Sequence, residues 1–171
     1  MKRKNIALVA HDARKNELIE WVTYNIDTLS KHNIFATGTT GKLIEEAVET
    51  LDEELLDDCL YQFITPLKGK VTKLLSGPLG GDQQIGAMIA EGKIDCLIFF
   101  CDNLITQGHA QDIQALSRLS SLYNVAYANN RTTADMIITS PLFSDETYER
   151  NIPSCIETYA SRLDLTNKIN E

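Results

Sequence analysis

Short, almost wholly apolar runs at residues 6–10, 34–36, 74–75, 96–100 and 125–128 constrain the fold of this chain more than any other feature. Strands covered on both faces look this way, because the apolar–polar alternation disappears once neither face meets water. Between the runs the apolar spacing becomes helical: Leu18, Trp21, Val22 and Ile26 share one face after the first run, and Ile113, Leu116, Leu119 and Leu122 share one before the last. Strands alternating with helices predict an α/β domain with a parallel sheet covered on both sides. In such sheets ligands gather at the carboxyl ends of the strands. His11-Asp12 and residues 37–41, 76–82 and 102–112 each follow a predicted strand, so four loops should converge on one edge.

At 171 residues the chain fits a single domain, 1–171, large enough to bury a real core. No internal repeat or low-complexity linker divides it. Residues 43–63 place Ile44, Val48, Leu51, Leu55, Cys59 and Phe63 at helical spacing and fill the other positions with acids. This predicts a long acidic helix ended by Pro66 and Gly69; a solvated outer face is its ordinary explanation, a partner surface the other. Ile156, Tyr159, Ala160 and Leu163 predict a final helix against the domain or a neighbouring subunit. The formal charge of −8 argues against nucleic-acid or anionic-membrane partners, which need a clustered basic patch. The run at 6–10 stops at His11-Asp12, too short for a signal peptide, and the run at 96–101 is far below spanning length. Cys59, Cys96, Cys101 and Cys155 show neither Cys-x-x-Cys spacing nor a nearby histidine pair, which points to free thiols in the cytoplasm.

The chemistry concentrates in the loops. In Leu75-Ser76-Gly77-Pro78-Leu79-Gly80-Gly81-Asp82-Gln83-Gln84, three glycines and a proline shape a tight backbone around one carboxylate. Asp82 reads either as a reactive acid or as the N-cap of a helix starting near Gln83. Thr37-Gly38-Thr39-Thr40, between a strand and a helix, can surround an anion with N–H groups and hydroxyls, with Lys15 supplying charge and Ser76 and Gly77 further donors. The competing reading makes the hydroxyl residues helix caps and Lys15 a surface lysine. His109 and Asp112, with Asp102 upstream, could form a proton-transfer set beside a carbonyl. Metal-ligand spacing is missing.

Taken in order, these pieces resemble the methylglyoxal synthase family: residues 6–12 with Lys15, 36–41, 75–84, 91–95 through Phe99-Phe100, and His109 with Asp112. The ten-residue run from Leu75 to Gln84 is far more specific than a lone glycine motif. The resemblance implies a three-layer α/β/α sandwich on a five-stranded parallel sheet, assembled as a homohexamer. It implies cofactor-independent conversion of dihydroxyacetone phosphate to methylglyoxal and inorganic phosphate, with phosphate also an inhibitor. It makes Asp82 the catalytic base and sets His11 and His109 on the substrate oxygens. Lys15, Thr37, Gly38, Thr39, Thr40, Ser76 and Gly77 then bind substrate, mainly its phosphate, and Asp102 and Asp112 are further active-site acids.

The chain departs from the family pattern in places. It is longer between Gly41 and Ser76, which makes an acidic helical insertion of about 49–69. Asn103 follows Asp102 where proline is general, Ala110 follows His109 where an acid is usual, and Asn129-Asn130-Arg131 replaces a more apolar stretch. None of these is a residue assigned to the reaction. The main rival is a non-catalytic regulatory module sensing a small phosphorylated ligand, which would need the cradle but not Asp82.

Overall fold

β1 (Asn5–Ala10) and β4 (Cys96–Phe100) pair in parallel through the middle of the molecule, from Ile6 opposite Cys96 to Ala10 opposite Phe100. The computed structural model describes residues 2–54, 67, 69–105 and 108–169. β2 (Asn33–Ala36) pairs with the other side of β1, β3 (Val71–Lys73) with β2, and β5 (Ala126–Ala128) with β4. The result is a five-stranded, all-parallel sheet in the order β3-β2-β1-β4-β5.

Helices cover both faces, as the apolar runs require. Ile6, Leu8 and Ala10 of β1 and Cys96, Ile98 and Phe100 of β4 point to one core. They meet α1 (Lys15–Tyr24), α2 (Ile26–Leu29), α3 (Gly38–Glu54) and α6 (Arg131–Ile138). The alternate residues Ala7, Val9, Leu97 and Phe99 meet α4 (Gly81–Ala90) and α5 (Ala110–Leu122) in a second core. Trp21 is buried in the first, its Nε1–H donating to Asp135 Oδ1 at 2.7 Å, so the one indole donor is satisfied. α7 (Pro141–Ser144) and α8 (Ser154–Ile169) follow. Among the described residues no helix is long and apolar enough to cross a membrane.

Several expectations need adjustment. The third strand lies at Val71–Lys73, before the apolar pair Leu74-Leu75. As an edge strand its Thr72 and Lys73 are exposed, so it lacks the apolar signature, while Leu74, whose N–H still donates to the Ala36 carbonyl at 2.8 Å, and Leu75 follow its end. Ile26 is buried as expected but belongs to α2, because the chain turns at Asn25, whose side chain donates back to the Trp21 carbonyl. Of the apolar positions of the final helix, Ile156 is half-buried and Tyr159 and Ala160 are exposed, so these do not pack against the domain and the neighbouring-subunit expectation is the one left standing; the Leu163 side chain lies outside the described residues. The acidic helix is present as α3 to Glu54; the rest of that expectation, and most of the 49–69 insertion, lies outside the described residues.

At the amino end of the sheet His32 is buried, its Nδ1 accepting the Lys4 N–H at 3.2 Å and its ring edge-on to Phe143. Burial first, then the charges of Lys4 and Lys31, lower its pKa below 6.5. The native state therefore binds fewer protons here than the unfolded chain. Its stability contribution is full above the unfolded value and is lost as pH falls through the lowered native one. The urea midpoint of unfolding should fall between about pH 7.5 and about pH 5.5, and His32→Gln should remove a measurable part of that fall.

Candidate active site

The turn between β3 and α4 aims the central side chain. Pro78 sits within a 3-10 turn over Gly77–Leu79, and Gly80 takes φ +105°, a left-handed conformation that lets the chain reverse into α4. The N–H groups of Leu79 and Gly81 both donate to the Ser76 carbonyl at 2.9 Å. Gly81 packs so closely that a Cβ there would stand 2.0 Å from the Leu75 carbonyl oxygen. On the outside, Leu75 N–H donates to Gln84 Oε1 at 2.8 Å, and Gly38 N–H donates to the Leu75 carbonyl at 3.1 Å. The loop is thus tied to the following helix and to the neighbouring loop.

Asp82 falls in the first turn of α4, with Gly80 as the N-cap, so it does not cap the helix. Its residue is 3% exposed, and neither carboxylate oxygen has a hydrogen-bond partner. Burial raises its pKa, opposed by the His109 ring and reinforced by Asp112. A carboxylate so held takes up a proton more readily than one in water. His109 Nε2 stands 3.6 Å from Asp82 Oδ2, beyond hydrogen-bond length. Gly77 also lies against the carboxylate, where a Cβ would be 3.0 Å from Oδ2 and 3.1 Å from Oδ1.

His11, at the end of β1, is buried and held edge-on to Phe99 with ring centroids 5.0 Å apart. Its Nδ1 accepts the backbone N–H of Asp102 at 2.8 Å. An accepting Nδ1 carries no proton, so the neutral ring carries its proton on Nε2. That Nε2 is buried and unpartnered. Burial is the main cause of a pKa below 6.5, with the nearby His109 adding to it. The outcome is a neutral imidazole presenting one N–H donor beside a carboxylate.

Lys15 supplies positive charge from the first turn of α1. Its ammonium pairs with Asp12 Oδ1, and while the Lys15 side chain is only 16% exposed that of Asp12 is 95% exposed. The bond to Lys15 holds the Asp12 carboxyl below the usual range. A cavity of about 590 Å³ joins these groups. His11, Lys15, Thr37 and Thr39 line one part of it; Ser76, Gly77, Asp82, His109 and Asp112 line the rest. Four loops do converge at the carboxyl ends of the strands.

Gly38, Thr40 and Asp102 lie behind this wall. Thr40 is buried and accepts from the Thr37 hydroxyl at 3.3 Å, Gly38 spends its N–H on Leu75, and Asp102 reaches the site through the N–H it gives His11. Asp102 Oδ1 accepts from Leu104 N–H at 3.0 Å, which closes its own turn. Asp12 and Phe99 also line the cavity, although neither stands out in the sequence as a site residue. The three-residue spacing of Asp12 and Lys15 could have revealed the first; Phe99 reads only as part of a buried strand. Among the described residues no group of three His, Cys, Asp or Glu side chains comes together to hold a metal ion.

The contact between Gly77 and the carboxylate gives a specific expectation. Gly77→Ala should displace the Asp82 oxygens and lower kcat by roughly 10-fold to 100-fold, because small misplacements of a reacting group are costly. Its thermal midpoint should change little, and steady-state kinetics beside a melting curve would separate the two effects.

Comparisons with known proteins bear on the same residues. Residues 63–129 match the family model of the MGS-like domain. The chain is 51% identical over 145 residues to the methylglyoxal synthase of Maridesulfovibrio salexigens, covering 85% of this chain and 88% of that one. It is 50% identical over 151 residues to the methylglyoxal synthase of Pseudoalteromonas atlantica, covering 88% and 98%. The crystal structure of methylglyoxal synthase from Elizabethkingia anophelis superposes with a TM-score of 0.72 at 44% identity, over 88% of this chain and 86% of that one.

Proposed function

The chain belongs to the methylglyoxal synthase family and acts as a carbon–oxygen lyase on a phosphate compound, and we propose that Asp82 starts the reaction by taking a proton from dihydroxyacetone phosphate. The observation that carries this role is the buried Asp82 carboxylate with both oxygens unpartnered, beside two imidazoles.

The substrate is an α-hydroxyketone, and its hydroxymethyl proton is too weakly acidic for a solvated carboxylate to remove. Desolvation raises the basicity of Asp82, and donors aimed at the carbonyl oxygen stabilise the charge that develops there. His11 is suited to be such a donor, because its tautomer is fixed, its Nε2–H has no competing acceptor, and it stays neutral. His109, whose Nε2 stands 3.6 Å from Asp82 Oδ2, serves the second oxygen. As the proton passes to Asp82, the C–H electron pair forms the carbon–carbon double bond of an enediolate. The enediolate then expels phosphate: its terminal oxyanion becomes a carbonyl, the carbon–carbon double bond shifts toward the leaving group, and the bond from carbon to the phosphate's bridging oxygen breaks with its electron pair leaving on phosphate; the released enol gains a proton at its terminal carbon and loses its hydroxyl proton, which gives methylglyoxal.

Lys15, Thr37, Thr39 and Ser76 hold the phosphate in this reading. They keep the carbon–oxygen bond out of the enediolate plane, where it overlaps the π system. Gly38 and Thr40 shape this cradle from behind, and Asp102 positions His11. Inorganic phosphate, as product, occupies the same cradle and inhibits. The free thiols of Cys96, Cys101 and Cys155 support a cytoplasmic location, and the exposed face of α8 supports assembly into a homohexamer. A sensing module would need the cradle but has no use for a desolvated, unpaired carboxylate.

Purified protein given dihydroxyacetone phosphate should form methylglyoxal and inorganic phosphate in equal amounts. Asp82→Asn should lower turnover by at least about 1000-fold. It should also raise stability at neutral pH by roughly 1–3 kcal/mol, since it removes an unpaired buried charge. Near wild-type turnover in that variant would remove Asp82 from the base role. Lys15→Ala should raise both KM and the phosphate inhibition constant by about 10-fold or more, measured in the same assay.

A further inference from the structure

A second cavity of about 550 Å³ opens at the opposite edge of the sheet, where the strands begin. β1 separates it from the reaction site by its full length, roughly 17 Å at the usual strand rise. Its apolar lining comes from Ala126, Ile137, Leu142, Phe143 and Ile152, of which Phe143 is buried and Leu142 and Ile152 are exposed. Cys96 also faces it, with its thiol pushed up by burial to about 12, so that it is wall and not nucleophile. The rim carries Lys2, Arg3, Lys4 and Arg150 against two carboxylates, Asp95 and Glu149. A local excess of cations is unexpected in a chain of formal charge −8.

Two of these cations are fixed in place. Lys4 gives its backbone N–H to His32 Nδ1 at 3.2 Å and stands with its ammonium 5.8 Å from the centre of the Phe143 ring. Arg150 donates through Nη1 to the Ile94 carbonyl at 2.7 Å, which holds the guanidinium against the start of β4. Its Nε is buried with no acceptor. Nε and Nη2 form the edge of a guanidinium that grips a carboxylate or phosphate through two parallel bonds. One of the opposing carboxylates is already occupied, since Asp95 Oδ2 accepts the Asn5 N–H at 2.8 Å.

We propose that this amino-edge cavity is a second binding site, for a small organic anion whose charged group meets Arg150 and Lys4 and whose flat apolar body lies on Phe143 and Leu142. An apolar lining with a few convergent polar groups is the usual make-up of a small-molecule site, and the volume is of the usual size. Neither the reaction nor the residues proposed for it enter this inference, so either can fail without the other.

Phenyl phosphate is a suitable probe, followed by ¹H–¹⁵N TROSY spectra of the full-length protein. Amide shifts at Gly92, Asp95, Phe143 and Arg150 should saturate along their own isotherm, separable from shifts at Gly77 and His109. Arg150→Gln should weaken the amino-edge isotherm at least tenfold and leave the other unchanged. Lys2→Gln, at an exposed position that the fold does not need, should weaken it by a few-fold and covers the case in which Arg150→Gln unfolds. Inorganic phosphate should bind this edge at least tenfold more weakly than phenyl phosphate, because it lacks the apolar body. Shifts confined to the Gly77 side, an isotherm indifferent to both substitutions, or equal binding of inorganic phosphate would overturn the proposal.

Discussion

A carboxylate buried without a hydrogen-bond partner is costly, and the site around Asp82 is organised to keep it that way. The folded chain bears this cost because Asp82 is held by backbone and not by bonds of its own. Gly81 seats the helix start against the Leu75 carbonyl, Gln84 takes the Leu75 N–H, and Ser76 accepts from both Leu79 and Gly81. Each bond satisfies a loop group that would otherwise compete for the carboxylate. The oxygens are left without a protein donor, as the proposed base role requires.

The same division of labour governs His11. The Asp102 N–H fixes the ring's tautomer and Phe99 packs its side, so the remaining N–H is presented without a partner in the free protein. The imidazole donor and the carboxylate are both unsatisfied and both buried, and they stand beyond the carboxyl ends of different strands of one parallel sheet. Parallel topology brings them together: β1 ends at His11, β3 leads to Asp82, and β4 leads toward Asp102 and His109. Stability is given up locally for a polar site prepared before substrate arrives.

Much of this was legible in the residues because the central strands obey a simple rule. β1 and β4 are buried on both faces, so their apolar runs mark them to within a residue, and the loops after them carry the histidines. The glycine-rich turn announced itself through Gly77, Gly80 and Gly81, two of which are sterically or conformationally required. β3 lies before the apolar pair because an edge strand need not be apolar, whereas Leu74 is apolar because it packs, half-buried, against the second core. Asp12 is not marked in the sequence because its tie to the site is a pairing with Lys15 that the spacing permits but does not demand. The split between groups that line the cavity and groups that stand behind it cannot be read from a motif, since Thr37 and Thr40 look alike until a helix turns one of them inward.

Titrating the Asp82 carboxyl directly, by following its ¹³Cγ chemical shift against pH in the free enzyme, tests its desolvation without relying on turnover. A midpoint clearly above the ordinary aspartate value of 3.8 is expected, because burial dominates over the nearby imidazoles. A midpoint at or below that value would mean that the carboxylate is solvated or ion-paired, and would contradict its role as a desolvated base.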